Sequence, residues 1–420
     1  MSIVEESPRN AWRLESPGSA QWLRSARPGA PNKYFMVSAD THHTEPAEYL
    51  EAIEPAYRER IPYVRVEEDG TQLLITEYGK PQIVKPGKRI APEGLQSFEK
   101  SESGRHYGDR MDAEDKLRVR SALSVEQRLA DGERDGIDAQ VIFPNKGLVL
   151  WATPDPRFQM AMCRAFNRWA AEYFSGHLDT LLPMAMLSGA DHEGNVAEVA
   201  WAADHGLRGV AMPAQPIFGI ENTNVLQYND AAFEPLWSTL EEAGLPLTFH
   251  VSTGRDPRAV GGKGGAIINY VCNSMATTID PVVNLIASGV LERHPGLKVV
   301  TVESGVGWVP WMLESMDHSY RAHHMWVRPV IPEKPSTYYR RQCYSTFTED
   351  HVGLALVEQL GLVDNFLWSN DYPHHEGTWP HSAEAIEREM GHVSEEARTK
   401  LLGLNAAKVF GLAVPLGAAP

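Results

Sequence analysis

Cysteine is scarce in this chain: three in 420 residues, at Cys163, Cys272 and Cys343. An odd number so widely spaced argues against a disulfide framework and for a reducing compartment, so the expected location is cytoplasmic. No apolar run approaches the roughly 18 residues that cross a bilayer, and residues 1–32 lack the apolar segment of a secretory leader. A soluble protein is expected. Basic charge is also in deficit, with 39 Lys and Arg against 55 Asp and Glu and a net charge of −16. Without a compact basic tract, nucleic acid and anionic membranes are disfavoured as partners. Internal repeats and low-complexity segments are lacking as well. The glycine-rich run 261–265 has no Ser or Thr after its Gly-Lys pair and no strand-to-helix setting, which argues against a phosphate loop. A substrate lid over 254–265 is the better expectation.

What is present is ordinary soluble composition, 43% hydrophobic and 22% charged, in a chain long enough for a large core. From about residue 137 onward, short β-branched runs alternate with longer helix-like segments, the pattern of consecutive βα units on a parallel sheet. Eight strands are expected, at 34–40, 138–144, 181–186, 208–213, 245–251, 298–303, 343–348 and 365–371. Helices are expected between them, at 156–175, 192–205, 229–243, 281–293, 308–324, 351–360 and 382–390. The fold class is therefore α/β, a (β/α)8 TIM barrel over residues 34–415. An irregular N-terminal arm over 1–33 precedes it, and a long insertion after strand 1, about 47–136, breaks the rhythm and is expected to cap the barrel.

In such a barrel the C-terminal strand ends share one rim, where enzymes of this architecture build their sites. The ends of the expected strands are where acidic and imidazole side chains stand: Asp40, His42, His43 and Glu45 on the first, His250 on the fifth, Glu303 on the sixth, Asp371 and His374 on the eighth. Singly, each has a bland explanation, since a lone strand histidine is usually a hydrogen-bonded core residue and an Asp before Tyr-Pro can cap a turn. Together they are different, because several buried carboxylates and imidazoles are costly alone and a shared divalent cation compensates them jointly. Strand alternation puts Asp40 and His42 on one face and His43 on the other, so His43 is read as structural. His323, His324 and His375 are read as solvated, the Met184–Met186 stretch as barrel core, and Trp308 and Trp311 as packing on the sheet or walling the pocket.

Asp40-Thr41-His42, Phe249-His250-Val251, Glu303-Ser304-Gly305 with Trp308, and Ser369-Asn370-Asp371-Tyr372-Pro373-His374 resemble the amidohydrolase-related branch of the amidohydrolase superfamily. That branch includes aminocarboxymuconate semialdehyde, resorcylate and carboxyvanillate decarboxylases besides assorted hydrolases. The resemblance implies a metal-dependent barrel in which Asp40, His42, His250 and Asp371 hold the principal ion. Two departures stand out. Strand four ends in Ala211-Met212-Pro213, without the lysine that bridges two metals in many of the hydrolases. Strand six carries Glu303 where the decarboxylases typically have histidine. Glu303 is then either a general base or a ligand to a second ion, with Glu45 and His374.

The leading expectation is hydrolysis or nonoxidative decarboxylation of a small organic carboxylate or amide with metal-activated water, Asp371 shuttling the proton and Glu303 assisting. Zinc is the first expectation, with iron or manganese as alternatives and one or two ions. A dinuclear iron or manganese oxygenase on the same barrel, and a non-catalytic metal-binding partner of an active homologue, are the competing readings. Arg255 would pair with a substrate carboxylate, and Tyr372 would line the pocket or pack on the barrel wall. The expected partners are a small-molecule substrate and further copies of the chain in a homo-oligomer, with a hetero-oligomer with a homologue as the alternative.

Overall fold

The computed structural model describes residues 34–85, 111–119, 124–145, 147–217, 226–255, 266–327 and 330–414. The expected arm at 1–33 and most of the expected lid lie outside them. Strand β1 (Val37–His43) pairs in parallel with β5 (Ala139–Pro144), and β5 pairs with β6 (Leu181–Pro183). The chain continues through Met184 into β7 (Ala185–Met186), which opens a second parallel run with β8 (Val210–Met212), β9 (Leu247–His250), β10 (Val299–Val302), β11 (Cys343–Phe347) and β12 (Phe366–Trp368). β6 and β7 form one stave, because the Met184 N–H donates to the Ile142 carbonyl at 3.0 Å while Ala185 and Met186 pair with β8. The seam between β12 and β1 is closed by a parallel bridge between Thr41 and Tyr372, with the His42 N–H donating to the Tyr372 carbonyl at 2.7 Å. Eight parallel staves thus close into the expected α/β barrel.

Period-2 alternation sorts the strand side chains into two sets. Val210, Met212, Leu247, Phe249 and Val299 pack outward with helix residues such as Leu236, Trp237 and Leu285. Ala211, Val300, Val302 and Leu367 pack with Met184 and Met186 on the other side. The helices that supply the outer layer are α3 (Pro156–Tyr173), α4 (His192–Asp204), α5 (Glu234–Ala243), α6 (Ala266–Ala287), α7 (Val290–Arg293), α8 (Val309–Val327) and α9 (Pro335–Gln342). Asp155 starts α3 by accepting the N–H groups of Arg157 and Phe158, with Pro156 at the first helical position, where its missing donor costs nothing. Two helices depart from expectation, the one expected at 351–360 being helical only over His351–Leu354. The segment expected to begin at Pro281 is continuous from Ala266, with Pro281 inside it. Its buried Val282, Leu285 and Ile286 anchor the helix strongly enough to absorb the lost backbone bond.

Between β1 and β5 the chain makes two short 3-10 turns, Ala47–Ala52 and Pro55–Arg60, and an antiparallel sheet of β2 (Tyr63–Val66), β3 (Gln72–Ile75) and β4 (Gln82–Lys85). It then forms α1 (Ala113–Arg118) and α2 (Val125–Arg134), started by the Asp112 and Ser124 side chains. α2 and its C-cap residue place three buried polar residues, Arg128, Asp131 and Asp135, beside the end of β1 and the segment after β12.

Candidate metal centre

Asp40 and His42 sit at the end of β1 and His250 at the end of β9, all with side chains at most 1% exposed. Each imidazole is oriented by a backbone carbonyl behind it. His42 Nδ1 lies 3.2 Å from the Pro144 carbonyl and His250 Nδ1 lies 2.7 Å from that of Val251. With the proton assigned to Nδ1 in both rings, both Nε2 lone pairs turn inward, to 3.2 Å from each other. Two lone pairs so placed repel unless a proton or a cation lies between them.

Three carboxylates close around this pair. Asp40 Oδ1 is 3.5 Å from His42 Nε2 and 3.6 Å from His250 Nε2. Glu303 Oε2 is 3.2 Å from His250 Nε2 and 3.6 Å from His42 Nε2. Asp371 Oδ1 is 3.6 Å from His42 Nε2 and 3.0 Å from His374 Nδ1. Both carboxylate oxygens of Asp40 and Oδ1 of Asp371 are buried without accepting a hydrogen bond. Among the described residues two overlapping sets, Asp40, His42, His250, Glu303 and His42, Glu303, Asp371, His374, can each gather one ligand atom per residue within 4.8 Å. Orphaned buried oxygens facing inward-turned imidazole nitrogens are what a divalent cation satisfies, and the mixed N/O donor set suits zinc, iron and manganese alike.

The proton affinities of the cluster tell the same story. Burial works against a charge on His250, yet Asp40 and Glu303 outweigh it and raise its pKa well above the ordinary value. Burial likewise opposes protonation of His374, but Asp371 and Glu303 lift it to about 9. Burial, with neighbouring His374, pushes His42 down. Asp371 is driven well up by burial, against the pull of His374. Burial also works against Glu303, but His250 and His42 hold its carboxyl far below the usual range. The bare cluster thus neutralises itself with protons, and these are what a bound metal displaces.

Local backbone conformation aims these side chains. Ser252, Glu303 and Asp371 have left-handed φ values of 65°, 58° and 52°, a conformation costing about 1–3 kcal/mol for a non-glycine residue and concentrated at functional sites. At Glu303 the turn is held by Thr346 Oγ1, which accepts the Glu303 N–H at 2.9 Å, and by Asp350, which accepts the N–H groups of Val306 and Gly307 at 2.6 and 2.7 Å. At Asp371, neighbouring Asn370 bridges to Ser38 of β1 at 2.8 Å and to Asp135, the C-cap of α2, at 3.0 Å.

The amidohydrolase family profile matches residues 39–412, nearly the whole barrel. This chain belongs to the amidohydrolase family. Among curated relatives, the gamma-resorcylate decarboxylase of a Rhizobium species is 24% identical over 298 residues, spanning 68% of this chain and 86% of that protein. That of Rhodococcus jostii is 27% identical over 200 residues, spanning 44% of this chain and 56% of that protein. Among solved structures, an amidohydrolase from Mycobacterium avium subsp. paratuberculosis superposes with a TM-score of 0.72 at 22% identity, covering 91% of this chain and 99% of that one. The 5-carboxyvanillate decarboxylase of Sphingomonas paucimobilis gives 0.60 at 18% identity, covering 90% and 99%. The chain is accordingly an enzyme of a metal-dependent superfamily, on the barrel fold that these structures share.

Asp40, His42, His250, Glu303, Asp371 and His374 thus gather at the rim, while several other expected residues lie apart. Glu45 is buried but belongs to neither set of four; its Oε1 accepts the Gly147 N–H at 3.0 Å. The Tyr372 hydroxyl donates to Asp131 Oδ2 at 2.6 Å, and the ring packs with Met111 and Trp379, so it lies on the barrel wall. Arg255 ends the short 3-10 turn Thr253–Arg255, and its side chain lies outside the described residues. His43 faces outward as expected, packed against Trp169, Tyr173 and Phe174. Trp308 is buried, with Nε1 donating to the Gly305 carbonyl at 3.0 Å, but Trp311 is 66% exposed. Trp308 precedes the first helical residue, so helical spacing does not tie the two indoles to one face. Sequence reasoning missed Arg128, Asp131, Asp135, Thr346 and Asp350. The first three recur three and four residues apart on one helix face, a signal that amphipathicity assigns to solvent rather than to a buried network.

Proposed function

We propose that this enzyme catalyses a metal-dependent, nonoxidative reaction on a small organic carboxylate, with decarboxylation of an aromatic carboxylate as the favoured form. The observation that carries this reading is the convergence of Asp40, His42, His250 and Asp371, whose orphaned oxygens and inward nitrogens lie 3.2–3.6 Å apart. The substrate class draws support from the two curated relatives named above, which are gamma-resorcylate decarboxylases. A divalent ion held by these residues would supply Lewis acidity toward an oxygen-bearing substrate. In its carboxylic-acid form Asp371, steered by His374, delivers its proton to the ring carbon that bears the carboxylate. The carbon–carbon bond breaks, its electrons remain on the ring to form the new C–H bond, and carbon dioxide leaves. In the hydrolytic form of the same reading, Asp371 instead takes a proton from attacking water.

Phenolic carboxylates offered to protein loaded with zinc or manganese should release carbon dioxide without consuming oxygen. Asp371→Asn should abolish that release while the melting curve stays cooperative, and turnover retained in the variant would refute the role. Release of an amine or alcohol from an amide or ester, without carbon dioxide, would select hydrolysis.

The second set of four supports one other reading, a dinuclear iron or manganese oxygenase in which Glu303 and His374 would help to hold a second ion. Near one metal per chain supports the first reading. Near two, with oxygen uptake, supports the second.

A further inference from the structure

We propose that Arg128 is the positioning residue of the metal centre: its buried guanidinium locks the β1–β12 seam and thereby sets the spacing between Asp40 and His42 on one side and Asp371 on the other. This inference rests on the metal-centre reading. The seam is the weakest join in the cylinder, one bridge between Thr41 and Tyr372, although ligand candidates flank it on both sides. Arg128 spans it from α2. Its Nη1 donates to Gln140 Oε1 of β5 at 2.6 Å and to Thr41 Oγ1 of β1 at 3.1 Å, and its Nη2 donates to the carbonyl of His42 itself. The guanidinium carbon also lies 5.4 Å from the centroid of the Tyr372 ring, which follows β12. One planar fork thus grips β1 and β5 and stacks on the residue next to Asp371, a geometry that a lysine cannot reproduce.

The guanidinium is fully buried, its Nε has no partner, and no described carboxylate forms an ion pair with it. A buried cation without a counter-ion is costly. Here it faces the Thr41 hydroxyl and His42 carbonyl of a ligand strand and the Gln140 amide oxygen of the neighbouring strand, so its cost is matched by fixing those strands rather than by neutralising an acid. It touches neither substrate nor metal, and acts through the His42 carbonyl and the Tyr372 ring.

The test is the zinc dissociation constant of the folded full-length protein, measured by chelator competition, for Arg128→Gln, Arg128→Met and Arg128→Lys. Arg134→Gln serves as control, because Arg134 sits on the same helix but pairs with Asp115 at 2.6 Å. The Gln and Met variants are expected to bind zinc roughly 10–100-fold more weakly, as for other groups that orient metal ligands. Lysine should recover only part of that loss, and Arg134→Gln should bind like wild type. Affinity unchanged in all the Arg128 variants, or lost equally in Arg134→Gln, overturns the proposal and leaves the metal centre standing. Failure of wild type to bind zinc or manganese overturns the metal-centre reading, and the proposal with it. If the Arg128 variants do not fold, Gln140→Leu removes one acceptor of the fork, and unchanged zinc affinity there overturns the proposal equally.

Discussion

Asp40→Asn is expected to stabilise the metal-free protein and, at the same time, to abolish its stabilisation by metal. Both oxygens of Asp40 are buried without accepting a hydrogen bond, in a cluster that also holds Glu303 and Asp371. An unsatisfied buried polar group costs about 1–3 kcal/mol, and more when charged, and the amide removes the charge while keeping the shape. For 420 residues, an unfolding entropy of about 2.1 cal/mol/K per residue makes 1 kcal/mol worth roughly 1 °C in Tm. The metal-free variant should therefore melt about 1–3 °C above metal-free wild type. A metal at a thousandfold its Kd stabilises the native state by about 4 kcal/mol, so wild type should gain roughly 4–5 °C on loading and the variant almost nothing. Calorimetry of chelator-treated protein, before and after adding zinc or manganese, reads both effects. A variant that melts below metal-free wild type and yet gains as much on loading would refute the assignment of Asp40 to the centre.

His43 provides a pH test, since burial first and Arg128 second hold its imidazole down to about 3. A depressed histidine favours the neutral folded form, so its contribution is complete above the unfolded value near 6.5 and is lost as pH falls toward 3. That loss amounts to about 2 kcal/mol by pH 5. His43→Phe should flatten the stability profile by this amount between pH 7 and 5 in urea unfolding, and an unchanged slope would refute it. Asp350→Ala strips the acceptor from Val306, Gly307 and Gly353 and should cost about 2–4 kcal/mol and weaken metal binding through the Glu303 turn. A loss below about 0.5 kcal/mol, the surface norm, would show that the turn does not need it. Gly403→Ala should lose about 3 kcal/mol, because a Cβ there would lie 1.7 Å from the Phe35 carbonyl oxygen in a backbone contact that cannot rotate away. Near-native denaturant stability of that variant would contradict this packing.

The eight strands were legible because their signals are local. Short β-branched runs punctuated by turn residues read the same way in isolation as in the barrel, and their ends differ from expectation by a few residues at most. Legibility fell where burial overrides local pattern. Pro281 looked like a helix start, but the buried face on either side carries the helix through it. The insertion at 47–136 was expected only to cap the barrel, yet its helix α2 carries Arg128 and Asp131 as buried residues. Trp311 looked like a packing residue and stands in solvent.

By itself the sequence determined which side chains stand at the strand ends. Two-residue alternation fixes the face each residue takes, and chain order fixes which strand carries it, so the sequence alone assigns Asp40, His42, His250, Glu303, Asp371 and His374 to one rim. Only the tertiary structure decided that these groups approach to 3.0–3.6 Å, that Glu45 falls outside both sets of four, and that Glu303 and Asp371 adopt left-handed backbone conformations to aim inward. The physical reason is that distance across a closed barrel depends on the seam that closes it. That seam, held by Arg128 and one bridge between residues some 330 positions apart, leaves no periodic trace in the chain.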